Sequence, residues 1–122
     1  MSSYLLLGTY TPVTHLVEFV APTSSSPPSL RRIKDLSIPR ASWITRHPTL
    51  RDICYIAHEA DDDGGSISGV EGKIWAYRIS PEGDATRLGE VSAVDNPCHI
   101  AVIGGGVGLA VVNVSQIIVT YS

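Results

Sequence analysis

Apolar and polar positions along this chain alternate in short runs, broken every ten or so residues by glycine, proline or a polar cluster. "SYLLLGTYT" (Ser3 to Thr11) is an apolar run with β-favouring Tyr and Thr. "HLVEFVA" (His15 to Ala21) sets Leu16 inward and Val17 outward, with Glu18 out of phase with Phe19. The Pro/Ser-rich "APTSSSPPS" predicts a connection without packing of its own. "LRRIKDLSI" (Leu30 to Ile38) spaces Leu30, Ile33 and Leu36 as a helix would, but it is short, follows two prolines and ends at Pro39. It therefore reads as a polar outer strand. "ASWITRHP" and "DICYIAHEA" are the next strands, and "DDDGGSISGVEG" is a polar loop. "KIWAYRIS" puts Ile74, Ala76 and Arg78 on one face and Trp75, Tyr77 and Ile79 on the other. "PEGD" is a tight turn, and "ATRLGEVS" a second outer strand. No segment keeps a helical period over three turns, so the fold class is all-β.

Strands at this spacing call for a search for internal repeats. "IPRASWITRHPTLRDICYIAHE" lies over "VDNPCHIAVIGGGVGLAVVNVS" at a separation of roughly 55 residues. Trp43 then falls on His99, and His58 on Asn113. An alternating strand follows each copy: "KIWAYRI" after the first, "QIIVTYS" after the second. The unit is strand, turn, strand, loop, strand, turn, outer strand, which predicts four-stranded antiparallel blades of a β-propeller. On this division residues 1–40 are leading strands with an outer strand, 41–92 a full blade and 93–122 a second blade without its outer strand. About two blades make an incomplete ring, since four to eight are needed for closure. The expectation is an N-terminal part of a longer chain, inactive alone, with open blade faces and edges.

These segments resemble a known group. "YLLLGTYTP", "ASWITRHPTLRDICYIAHEA", "GKIWAYRISPEGDATRLGEV" and "NPCHIAVIGGGVGLAVVNVS" are similar, in that order, to the opening blades of the lactonase-type seven-bladed propellers. That family includes propeller-type 6-phosphogluconolactonases and the fungal 3-carboxy-cis,cis-muconate lactonizing enzyme. "GTYT" and "PCH" before a strand ending in Val-Asn carry most of the likeness. The chain departs from the family at Ala57-His58-Glu59, where Val-Asn-Glu is usual, and after Asn113, where glycines are usual. The resemblance implies cytosolic lactone chemistry: hydrolysis of a sugar-phosphate lactone, or cyclisation of a carboxymuconate. It implies a small-molecule lactone or carboxylate as partner and no cofactor.

His99 is the candidate catalytic group. It follows Pro97 at the start of an inner strand, and histidine as a residue type serves as acid or base near neutral pH. The alternative is a histidine bonded to a neighbouring loop. Glu59, Asn113 and His58 are candidate substrate-binding groups at strand ends. A carboxylate there orients a water or a histidine, and an amide binds a lactone oxygen. Their alternative is strand-end capping. His47, before Pro48, reads as a turn residue, and Trp43 and Trp75 as core or blade-face residues. Arg31, Arg32 and Lys34 read as a solvated outer strand.

Three consecutive aspartates in "DDDGG" lack the alternate spacing of a calcium loop. "GGGVG" lacks the Lys-Ser/Thr of a phosphate loop and reads as a hairpin turn. No metal-ligand spacing is present, so no metal is expected. The chain of 122 residues is 43% hydrophobic and 17% charged, with a net charge of -3. That balance argues against disorder, nucleic acid and an anionic membrane surface. "MSSYLLLGTY" lacks the cationic start of a signal peptide, and its apolar run is too short for a span, so a cytoplasmic location is expected. Cys54 and Cys98 in apolar runs read as buried free thiols, with a disulfide as the alternative. The competing functional reading is non-enzymatic: self-association, or partner binding through open blade faces and edges.

Overall fold

The computed structural model describes residues 2–60, 72–93, 96–113 and 119–121. The loop expected over 61–72 lies outside this set except for Gly72, as do residues 114–118 and 122. Among the described residues ten strands form three sheets. The first holds β1 (Ser2–Leu7), β2 (Thr14–Val20) and β3 (Ser29–Leu36) in the order β1-β2-β3. The second holds β4 (Ala41–Arg46), β5 (Ile53–His58), β6 (Lys73–Ile79) and β7 (Ala85–Ser92) in sequence order. The third is β10-β9-β8, from β8 (Pro97–Ile103), β9 (Gly108–Asn113) and β10 (Val119–Tyr121). Among the described residues every pairing is antiparallel and no sheet closes on itself. Among the described residues there is no helix, so none is long and apolar enough to cross a membrane.

The sheets stack through two cores. One gathers Leu36, Ile38, Ala41, Cys54, Ile56, Trp75 and Tyr77, with Leu6 and Ile44 packed against it. The other gathers Ala57, Ile74, Ala93, Ile100 and Val111. The split follows side-chain alternation. In β6, Trp75 and Tyr77 enter the first core and Ile74 the second, on the two faces expected from the sequence. In β5, Cys54 and Ile56 face one way and Ala57 the other. A strand covered on both faces has no polar side to show, which explains the continuous apolar run "ICYIA". The polar β7 is exposed along almost its whole length.

Three expectations need correction. The first strand stops at Leu7, not Thr11. Beyond it Thr9 Oγ1 donates to Val13 O at 2.6 Å, turning the chain. Val17, expected outward, is buried like Leu16, and Glu18 is buried too. Arg31 reaches one oxygen of that carboxylate, Oε2, through Nε at 3.0 Å and Nη2 at 2.5 Å, charge-assisted bonds that compensate the buried charge. β3 ends at Leu36, so Ile38 lies beyond the ladder, where it is 1% exposed and its carbonyl accepts Thr14 Oγ1 at 2.8 Å.

The hairpins β4–β5 and β8–β9 share one register. Ala41 faces His58 and Trp43 faces Ala57; Pro97 faces Asn113 and His99 faces Val112. In each, one extra residue sits in the first strand, Ser42 or Cys98, the two-against-one count of a β-bulge. The bulged side chains behave alike: Ser42 Oγ lies 3.3 Å from Ala57 O, and Cys98 Sγ donates to Val112 O at 3.3 Å. Ser42 Oγ also donates to Pro97 O at 2.7 Å, tying the second sheet to the third. The repeat is thus structural, down to its bulge.

Gly8 sets the approach of the first sheet to the second. A Cβ built there would lie 2.2 Å from the carbonyl oxygen of Ala41, a backbone atom that cannot swing away. Gly89 in β7 has nothing within 4 Å of the same position. Gly8→Ala is expected to lower stability by about 1–3 kcal/mol through overpacking. Gly89→Ala should stay within about 0.5 kcal/mol of the parent. Urea denaturation of the pair tests this, and equal midpoints would mean that the contact is not tight. The "GGGVG" turn is a hairpin connection, with Gly104, Gly105 and Gly106 all at positive φ. Its Gly106 packs on the His47 ring, whose Nδ1 accepts from the backbone N–H of Thr49 and Leu50.

Candidate functional site

One end of the stacked sheets gathers the polar side chains. Leu7, Ala41, His58, Pro97 and Asn113 are terminal positions in their pairings, so the loops that follow or precede them meet at one rim. Tyr10, after β1, donates its hydroxyl to Glu59 Oε1 at 3.3 Å. Arg40, before β4, lies with its guanidinium 5.6 Å from the Tyr10 ring centre, a cation–π distance. Its Nε donates to Glu59 O at 3.3 Å, while Glu59 N donates to Arg40 O at 3.2 Å. Arg40 has φ 46, the left-handed region that costs a non-glycine residue strain. That bend lets its backbone N–H reach Thr11 O at 3.0 Å while the side chain covers Tyr10.

The Glu59 charge raises the pKa of the Tyr10 hydroxyl, with burial and their hydrogen bond adding to it; Arg40 opposes, and Cys98 adds a further upward push. Tyr10 therefore stays protonated at neutral pH and acts as a donor, not a base. Cys98, the second residue of β8, lies beside this cluster, and His99 follows it. His99 is exposed, and its ring meets Trp43 edge-on at 4.3 Å between centroids, with 83° between planes. Trp43 is itself 41% exposed, so the pair is a surface feature of adjacent strands β4 and β8.

The other two candidates sit differently. His58 Nδ1 donates to Pro39 O at 2.8 Å, and its ring stacks on Trp75 at 4.2 Å. Asn113 is 3% exposed and its Nδ2 donates to Ala93 O at 2.9 Å, while Oδ1 is buried with no partner among the described residues. These repeat-equivalent residues make equivalent ties: each holds the segment that leads into its own hairpin. Glu59 is thus brought together with Tyr10 and Arg40, His99 with Trp43, and His58 and Asn113 with backbone carbonyls. Sequence reasoning missed Tyr10 and Arg40. "GTYT" could have marked the first; nothing local marks the left-handed bend at Arg40.

Arg31, Arg32 and Lys34 are each spoken for, by Glu18, Asp35 and Asp84. Among the described residues no group of three His, Cys, Asp or Glu side chains could hold a metal ion. Cys54 and Cys98 are free thiols, but only Cys54 is buried as expected; Cys98, in the bulge of β8, is half-buried. Burial pushes the Cys54 thiol up to about 11, against a smaller downward pull from Arg46. Because the folded-state pKa is raised, the stability it adds is complete below the ordinary thiol value and is lost as pH rises through about 11. Iodoacetamide at pH 8 is expected to modify Cys98 first and Cys54 only on unfolding, read by peptide mass. Modification of Cys54 at the rate of Cys98 in folded protein would refute its burial.

No family model, curated protein or solved structure matches this chain.

Proposed function

We propose that the chain forms consecutive blades of a lactonase-type propeller and that its rim handles a small lactone or its carboxylate product. The observation that carries this reading is the rim itself: the cluster of Tyr10, Glu59 and Arg40, and an exposed His99 held against Trp43 near the start of β8. Its architectural support is the stacking of three sheets in chain order, with β4 and β8 adjacent and the same bulge in both hairpins. In this reading His99 removes a proton from water as the water oxygen bonds to the lactone carbonyl carbon. The ring C–O bond then breaks and the proton passes to the departing oxygen. Tyr10 donates to the oxyanion or the product carboxylate. In the unliganded rim the Tyr10 O–H points to Glu59 Oε1 and it turns from there to the ligand, while Trp43 holds the His99 ring.

The test offers the 122-residue protein a phosphorylated sugar δ-lactone and, separately, a 3-carboxymuconate, with the phosphorylated aldonate as an NMR titrant. Saturable shifts at His99 and Tyr10 with the aldonate support the reading, and turnover of either substrate would extend it to catalysis by these blades alone. Neither turnover nor a shift at those residues would sink it.

A second reading, self-association, is favoured by the first sheet. Leu6 packs toward the core, so Leu7 turns away and is 43% exposed, and Leu30 is 61% exposed. This reading expects a discrete oligomer in sedimentation velocity with no response to the aldonate.

A further inference from the structure

At the end of the sheets away from the rim, the first and second sheets part around a cleft of about 360 Å³. Its walls are apolar: Leu6 and Leu16 from the first sheet, and Ile44, Ile53, Cys54 and Ile79 from the second. Arg46, Arg51 and Asp52 also line it. The Asp52 carboxylate is taken by Arg78 Nε at 3.0 Å. Arg46 donates through Nη2 to Arg51 O at 3.2 Å, a neutral carbonyl. Neither Arg46 nor Arg51 meets a carboxylate among the described residues. The cleft therefore joins an apolar interior to two guanidinium groups whose charge no side chain among the described residues answers.

We infer that this cleft binds an amphiphilic carboxylate, its acyl chain between Ile44 and Leu16 and its head group on Arg46 and Arg51. The charge complementarity selects an anion over a neutral amphiphile, because a planar guanidinium takes a carboxylate through paired N–H donors. The size selects a medium acyl chain, since 360 Å³ is near the lower end of small-molecule sites, about 300–1,000 Å³. The site shares no residue with the rim, so it stands or falls independently of the lactonase reading.

The probes are decanoate and decanol, titrated below self-aggregation into protein with labelled isoleucine methyls. Decanoate is expected to shift Ile44, Ile53 and Ile79 saturably and to leave Ile100, in the other core, unmoved. Decanol should bind at least about tenfold more weakly, the cost of losing one charge-assisted pairing. The Arg46→Gln, Arg51→Gln double variant should bring decanoate down to the decanol level without changing decanol. Arg46→Lys with Arg51→Lys should recover part of the difference. Unchanged Ile100 methyls show that each variant is folded. Equal affinity for the acid and the alcohol, shifts centred on Ile100, or no saturable shift would each overturn the inference.

Discussion

Replacing Ile56 by alanine should lower the unfolding free energy by about 2–5 kcal/mol, the range for removing a buried aliphatic side chain and leaving a cavity. Ile56 is 0% exposed, stands opposite Ile44 on one side and Trp75 on the other, and faces the first sheet. The repeat supplies its own comparison. Val111 occupies the same register position, opposite Ile100 in the third sheet, is also 0% exposed and faces the second sheet. Val111→Ala removes two methyl groups, about 0.8 kcal/mol each before any cavity term, so about 2 kcal/mol is expected. For a domain stable by about 5–15 kcal/mol, either loss is large. Urea denaturation gives the magnitudes, and hydrogen exchange gives the place. Ile56→Ala should loosen β1–β3 most and Val111→Ala should loosen β8–β9. Changes below about 0.5 kcal/mol in both would mean that the sheets do not stack through these residues.

The features legible beforehand were those with a short period. Alternation placed Ile74 opposite to Trp75 and Tyr77, and a self-comparison of the chain paired Trp43 with His99 and His58 with Asn113 before their common register was visible. The bulge at Ser42 and Cys98 was not legible, because an extra residue in one strand leaves no mark on hydrophobic period; only the structural pairing reveals it. Val17 misled because a residue facing away from the main core can still be covered by its neighbours. Glu18 misled because a buried carboxylate looks like any surface one until its arginine is located. The rim is the hardest case. Tyr10 and Glu59 are 49 positions apart in sequence, and the bend that brings Arg40 over Tyr10 is a backbone state common in glycine and rare in arginine. Chemistry assembled across sheets is a property of the stack, not of any one segment.

His99→Gln is the decisive change for the proposed reaction. Glutamine keeps an amide near the ring position and much of the volume but cannot exchange a proton with water and a departing oxygen. General acid–base catalysis contributes about 10²–10⁴-fold, so kcat on the responsive lactone should fall by that factor with little change in KM. Trp43→Leu removes only an aromatic edge contact, worth about 0.5–1.5 kcal/mol, and should lower kcat by about tenfold or less through a less well-held ring. The rim geometry has a readout that needs no turnover. The negative charge of Glu59 is the largest cause of the raised Tyr10 hydroxyl, so Glu59→Gln should bring that titration back down, followed by tyrosinate absorbance against a Tyr10→Phe blank. An unmoved titration would break the link between Glu59 and Tyr10, and kcat within twofold of the parent in His99→Gln would remove His99 from the chemistry. Both together would leave the rim a structural seam, and the open face of the first sheet, with Leu7 and Leu30, would become the better place to look for function.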